Sequence, residues 1–295
     1  MRITEYDVGA GAYGVAIARD GAVWTTLVER GELARVAPDG TVSHVRLDAG
    51  DCRPMVLAHG PDAALWFSRG DGLLGRVAPD GDVSSRPTLT AEGAPYGLCA
   101  GPGRALWYTL LGGADRIGRI AEDGRHDEFG VPPGSMPSII CPGPADTLWV
   151  TLNQANAIAR VTADGTITTR GLPTADAGPV GIDANRDAAW FAEINAGQVG
   201  RIAADGTIAE FPLPDRTSRP HAVAVTADGG CWVTLWAASS AVRLSPEGEV
   251  TAEARFRPGA EPHGLAIAAD ASLWVALETG ILAHIEDLPV PAARP

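Results

Sequence analysis

Positive charge is scarce in this chain of 295 residues, which sets 23 Lys and Arg against 36 Asp and Glu for a net charge of −13. With no basic run to offset that balance, phosphate backbones and anionic lipid surfaces are repelled, and nucleic acid is not an expected partner. No apolar run reaches the roughly 18 residues needed to cross a bilayer, and no basic-then-apolar leader opens the sequence. The expectation is a protein of the cytoplasm without membrane contact. Cysteine is sparse and follows no metal or redox motif. Cys52, Cys99, Cys141 and Cys231 show no CxxC spacing, so they read as reduced packing residues. Charged residues are only 20% of the chain against 45% hydrophobic, which is too apolar for a disordered polymer and enough for a large core. A helical period of 3.6 residues is not visible, which argues against helical solenoids, and no GxSxG nucleophile elbow is present.

What the chain does contain is a repeat. Trp24, Trp66, Trp107, Trp149, Trp190, Trp232 and Trp274 are 42, 41, 42, 41, 42 and 42 residues apart, and Trp236 is the only tryptophan off this ladder. Around each lies the same order of features: a Pro or Gly, an apolar run such as "YGVAIA" or "HGLAIA", a turn, a Trp-centred run such as "LWFS" or "LWVT", then "ARV", "GRV" or "GRI". Asp-Gly pairs follow at Asp39-Gly40, Asp80-Gly81, Asp123-Gly124, Asp164-Gly165 and Asp205-Gly206, with Glu247-Gly248 in the sixth unit. Short apolar runs divided in this way read as strands joined by hairpin turns. A period of about 42 residues holds four short strands but is short for a βαβ unit. The repeat therefore predicts an all-β, seven-bladed β-propeller of four-stranded antiparallel blades, a single domain over residues 1–295, with the ladder tryptophans in its core. At the N-terminus "ITEYDV" resembles the outer-strand segment "TIAEFPL", and the last unit ends at "HIEDLPV" without such a strand. The N-terminal strand is expected to close the last blade. A ring closed in this way has no long free sheet edge, so a monomer is expected.

In an up-and-down blade the first strand starts where the second ends, so the strand heads of all seven blades ring one mouth of the central channel. Eleven residues before the ladder tryptophans stand Tyr13, Met55, Tyr96, Ser138, His221 and His263, with Val180 ten residues before in the fifth blade. They differ in type where the scaffold repeats, which marks them as candidates for function. With Asp228-Gly229 as a two-residue turn, residues whose numbers sum to 457 face each other, which pairs His221 with Trp236. The same count about Asp270-Ala271 pairs His263 with Glu278, and Glu261 falls on the side of His263 in an extended segment. Two carboxylates held close repel unless a proton or cation lies between them, and their hard oxygens suit Mg²⁺ or Ca²⁺. Glu261 and Glu278 are therefore a candidate open metal site. His263 beside them suits a general base working on a C–H that the cation acidifies. His221 is a candidate for orienting a substrate or donating a proton, and Trp236 and Tyr13 offer flat faces to an aromatic ligand.

The blades, with "RPHAVAV" leading to "WVTLW" in the sixth and "EPHGLAI" leading to "LWVALE" in the seventh, resemble the streptogramin B lyases, also called virginiamycin B lyases, over the whole chain. The paired "RPHA" and "EPHG" carry more of this likeness than the propeller period, which many repeat proteins share. The resemblance implies a seven-bladed propeller that opens a cyclic depsipeptide antibiotic by elimination at its ester, with Mg²⁺ and without water as a reactant. Matched to the family's motifs, His263 would be the base, Glu261 and Glu278 the Mg²⁺ ligands, and His221 and Trp236 substrate-contacting or assisting residues. Tyr13 of "AYG" would match the family's first-blade aromatic. The base would take the α-proton of the ester-linked threonine and the carboxylate would leave from the β-carbon, giving a linear peptide with a dehydrobutyrine end. The chain departs from the family's Trp-Phe-Thr-Glu, keeping that glutamate only as Glu193 in "WFAE" and holding Leu235 in its place in the sixth blade. Two further functions are open to the same rim: a metal-dependent lactonase or esterase, and a non-catalytic propeller that binds a peptide or protein partner.

Overall fold

The computed structural model describes residues 1–91 and 93–288 of the chain. Its strands form seven four-stranded antiparallel sheets, and in six of them the four strands are consecutive in sequence. The innermost strands are Ala12–Ile17, Pro54–His59, Ala94–Gly101, Pro137–Gly143, Pro179–Ala184, Pro220–Val225 and Pro262–Ile267. Each contacts the innermost strands of its two neighbours, and the seventh meets the first. This closed cycle is the seven-bladed propeller read from the repeat. The seventh sheet takes its outer strand from the N-terminus, where Arg2–Asp7 pairs antiparallel with Ile281–Glu286. The domain expected over 1–295 includes positions 92 and 289–295, which lie outside the described residues.

The repeated motif has a direct structural reading. All seven ladder tryptophans are buried. Six stand opposite the arginine of the next strand, as Trp24 does with Arg35 and Trp232 with Arg243. In four blades that guanidinium lies over the indole, 5.5–6.0 Å from the ring centre. The seventh blade uses His284 instead, stacked on Trp274 at 4.1 Å. Each indole removes ~150–250 Å² from water, or about 4–6 kcal/mol at ~25 cal/mol per Å². The exposed Arg2–Glu286 pair contributes about 1 kcal/mol or less. Closure of the ring therefore rests on Trp274, packed with Val8, Val23 and Val36 of the first blade, and not on the terminal ion pair. The four cysteines are free and buried, as their spacing suggests.

The hairpins differ from the two-residue turns expected. Thr226 donates its amide to Gly230 O at 2.9 Å, and Gly229, at φ +89°, donates to Thr226 O at 2.9 Å. Ala227, Asp228 and Gly229 thus make a three-residue loop whose last residue is left-handed, a common hairpin geometry. The extra loop residue and a register shift between Pro220 and Val223 together displace the strand head by two positions. His221 accordingly does not face Trp236, whose amide donates to Arg219 O at 3.0 Å. The seventh blade repeats this geometry: its loop closes between Ala268 and Ser272, and the Glu278 amide donates to Glu261 O at 3.2 Å rather than standing opposite His263.

Candidate active site

Every strand head carries a β-bulge, and the bulged residue is Tyr13, Met55, Tyr96, Ser138, Val180, His221 or His263. A bulge interrupts the ladder and re-aims its side chain, here into the channel mouth. The freed backbone groups are taken up by a hydroxyl. Thr234 accepts the Ala222 amide at 2.9 Å and donates to the carbonyl of His263, in the next blade, at 2.8 Å. Thr26, Thr109 and Thr151 make the same two bonds on behalf of Met55, Ser138 and Val180. A side chain at Gly264 would place Cβ 2.5 Å from Tyr13 O, so glycine there lets the first blade close against the seventh. The Tyr13 and His263 rings consequently lie 4.4 Å apart, tilted by 32°.

The residue before the strand-head proline turns the chain into the mouth. Arg53, Met136, Arg219 and Glu261 all sit there in the left-handed region, at φ +47°, +52°, +52° and +50°. Such a conformation costs roughly 1–3 kcal/mol for a residue with a side chain, and it clusters at functional sites. Glu261 is therefore not in the extended segment expected, yet its carboxyl is still near enough to Glu278 and Trp236 for Glu278 to raise and Trp236 to lower its pKa. Trp236 thus acts on Glu261 across the blade boundary and does not face His221 within its own blade.

The polar contacts at the mouth form one connected set. His263 Nε2 lies 2.6 Å from Glu278 Oε2, and the His263 ring is almost perpendicular to that of His221, with centres 4.9 Å apart. Tyr13 Oη is 2.6 Å from Tyr96 Oη and 3.5 Å from His221 Nε2. His263 is only 8% exposed, and its Nδ1, like that of His221, is buried without a partner among the described residues. Burial, and then the neighbouring His263, push His221 down to about 3. His221 is therefore a neutral imidazole at physiological pH, which favours hydrogen bonding over the proton donation also considered for it. Burial, and then Tyr96, raise the Tyr13 phenol well above its ordinary range, so it too stays neutral. Burial, and then the facing Glu278 carboxylate, raise Glu261 above the usual carboxylate range. Below this mouth the channel holds a cavity of about 430 Å³ with Tyr13, Tyr96, Asp183 and His221 in its wall.

Residues 1–285 match the Virginiamycin B lyase family. The chain belongs to that family. A virginiamycin B lyase from Nocardia farcinica (strain IFM 10152) is 48% identical over 151 residues, covering 51% of this chain and 51% of that protein. The chain thus spans about half the length of that curated relative. The selenomethionine-substituted virginiamycin B lyase from Staphylococcus aureus superposes with a TM-score of 0.91 at 34% identity, over 96% of this chain and 98% of that one. A catalytically inactive histidine-to-alanine variant of the S. aureus lyase, solved with quinupristin, gives a TM-score of 0.90 at 33% identity over 96% and 98% of the two chains.

A virginiamycin B lyase fold that gathers Glu261 and Glu278 presents a donor set suited to a hard divalent cation. Their mutual repulsion is what a cation relieves. Among the described residues no group of three or more His, Cys, Asp and Glu is gathered to enclose an ion. Glu261 and Glu278 are the two side chains that could hold such an ion, and Mg²⁺ is commonly bound through one or two carboxylates.

Other members of the mouth were less legible. Met55, Ser138 and Val180 stand in the ring where the repeat places them, and Ser138 is buried. Tyr96 emerges as the partner of Tyr13, and Thr234 as the support of His263. The signal for Thr234 was present in the recurrent Ser or Thr two residues after a ladder tryptophan, in "LWFS", "LWYT", "LWVT" and "CWVT". Glu193, the lone retained family glutamate, is fully buried against Gln198, which fits blade packing. Asp115 and Asp215 cap loops, accepting the amides of Met136 at 3.0 Å and Thr217 at 2.8 Å.

Proposed function

We propose that this chain opens cyclic depsipeptides of the streptogramin B type by elimination at the ester bond, with Glu261 and Glu278 holding Mg²⁺ and His263 as the base. The observation that carries this reading is the 2.6 Å contact of His263 Nε2 with Glu278 Oε2, beside a Glu261 carboxyl that Glu278 repels. The His263 imidazole, held by Glu278 through Nε2, would take the proton from the substrate Cα. Glu278 then stabilises the imidazolium that forms. The Cα–H electron pair becomes the Cα=Cβ bond, the Cβ–O bond breaks with its pair on oxygen, and a carboxylate departs. The proton passes from the imidazolium to water, so no water is consumed. Bound Mg²⁺ would polarise substrate carbonyl oxygens and acidify the adjacent C–H.

The other residues position the substrate. Neutral His221 and the Tyr13 phenol offer hydrogen bonds without competing for the proton, and the faces of Tyr13 and Trp236 suit aromatic groups of a depsipeptide. The inactive histidine-to-alanine variant of the S. aureus lyase supports an indispensable histidine in this family. On this reading the protein acts as a monomer in the cytoplasm on a small ligand. Among the described residues no helix is long and apolar enough to cross a membrane.

The test is mass spectrometry of quinupristin incubated with the chain and Mg²⁺, with and without EDTA. Elimination within a ring isomerises it, so a linear product of unchanged mass is expected, lost with EDTA and restored by added Mg²⁺. A product heavier by one water would make the protein a hydrolase. An unchanged ring would leave the lyase reading without support.

A further inference from the structure

Elimination turns a neutral ester into a carboxylate, and in the proposed site the charge of the Mg²⁺ is already matched by the two glutamates that hold it. The chain has a net charge of −13, and Glu261 and Glu278 face the reacting centre. No lysine occurs in the sequence, so a permanently charged side chain that adds to the Mg²⁺ near the leaving oxygen has to be an arginine. The position equivalent to Glu261, one blade earlier, is Arg219. Both precede the strand-head proline, both are left-handed at φ +50° and +52°, and each accepts a backbone hydrogen bond from its rim partner, Glu278 at 3.2 Å and Trp236 at 3.0 Å. By this internal repetition Arg219 stands to His221 and Trp236 as Glu261 stands to His263 and Glu278. Its side chain is exposed, and among the described residues no carboxylate, carbonyl or aromatic ring holds it. An arginine that strained backbone sets on a functional rim, and that no neighbour pairs, is available to a ligand.

We propose that Arg219 receives the carboxylate released when the ring opens, which makes it a residue of the leaving-group side and selects for substrates whose leaving group is an acyl oxygen. This deepens the elimination reading above and rests on it. As the Cβ–O bond breaks, negative charge collects on the two carboxylate oxygens, and the planar guanidinium matches that pair with two parallel N–H donors. The guanidinium keeps its own proton throughout, and the proton taken from Cα leaves through His263. Arg53 provides the built-in comparison: it occupies the same position in the second blade, is also left-handed and exposed, and lacks a histidine two residues on.

The experiment compares wild type, R219Q, R219K and R53Q in quinupristin opening, with thermal melts to confirm folding. It also measures inhibition by the linear product and by the same peptide with a C-terminal amide. R219Q is expected to lower kcat/KM about 10- to 100-fold, the range for losing one charge-assisted hydrogen bond, with partial recovery in R219K and no loss in R53Q. Wild type should bind the carboxylate product more tightly than the amide, and R219Q should bind the two alike. Full activity in R219Q, or a carboxylate preference that survives in it, overturns this inference alone, as does an equal loss in R53Q. A wild type that leaves the ring closed overturns the parent reading and this one with it.

Discussion

The Thr234 hydroxyl, in the sixth sheet, donates to the His263 carbonyl in the seventh at 2.8 Å while it accepts the Ala222 amide at 2.9 Å. One side chain therefore satisfies two backbone groups that adjacent bulges set free, and it places the proposed base relative to the neighbouring blade. Thr234→Val keeps the shape and removes both bonds. Leaving buried polar groups unpaired costs about 1–3 kcal/mol, so a loss of that order is expected in urea denaturation, together with a fall in kcat. Thr234→Ser should restore both. An unchanged kcat in the valine variant would separate the hydroxyl from the placement of His263.

His263→Ala should remove the base while leaving the ring closed, because its carbonyl bond to Thr234 does not need the imidazole. General bases contribute about 10²- to 10⁴-fold to rate. A loss of at least that order in ring opening is expected, with a melting temperature close to that of wild type. Turnover equal to wild type would end the assignment of His263 as base.

Glu261→Gln should separate metal binding from folding. Because burial, and then Glu278, raise Glu261 in the folded chain, its ionisation opposes folding above the ordinary carboxylate range. The metal-free variant should therefore melt at or above the wild-type temperature near neutral pH. Added Mg²⁺ should raise the melting temperature of wild type and do so much less in the variant. An equal Mg²⁺ increment in both would place the cation elsewhere.

At the end of the second strand of the fifth blade, Glu193 supplies a pH dependence of stability. Burial, and then Glu210, push it up to about 8 from 4.5, against the opposing Gln198 hydrogen bond and Arg216 charge. A raised folded value means that the contribution is complete below 4.5, where both states hold the proton, and drains away as the pH rises toward 8. Glu193→Gln should remove that trend: melting temperatures of wild type should fall relative to the variant across this window and run parallel above it. Parallel curves throughout would show that Glu193 ionises alike in both states.

Much of this molecule was legible along the chain. The tryptophan spacing is visible because every blade repeats the same inter-blade packing problem, and each solves it with an indole that the next strand covers. The closing N-terminal strand was legible for the same reason, since an incomplete last unit leaves a sheet one strand short. Residue type marked His221, His263, Glu261, Glu278, Trp236 and Tyr13 as exceptions within a uniform repeat. Their grouping at one rim followed from blade symmetry alone.

Their contacts did not. The pairing of His221 with Trp236 failed by two positions because a three-residue loop and a bulge each add a residue, and local composition does not count either one. Glu261 nears Glu278 and Trp236 through a left-handed backbone that pre-proline sterics disfavour, a turn closed within its blade by the Glu278 amide on the Glu261 carbonyl. The tilted contact of Tyr13 with His263 joins residues 250 positions apart, and it exists because Gly264 lets the first and last blades touch. Periodic sequence determined the blades and which of their members were unusual. The tertiary structure decided which of those members touch, because bulges, strained turns and ring closure are settled by packing between blades and not by any single strand.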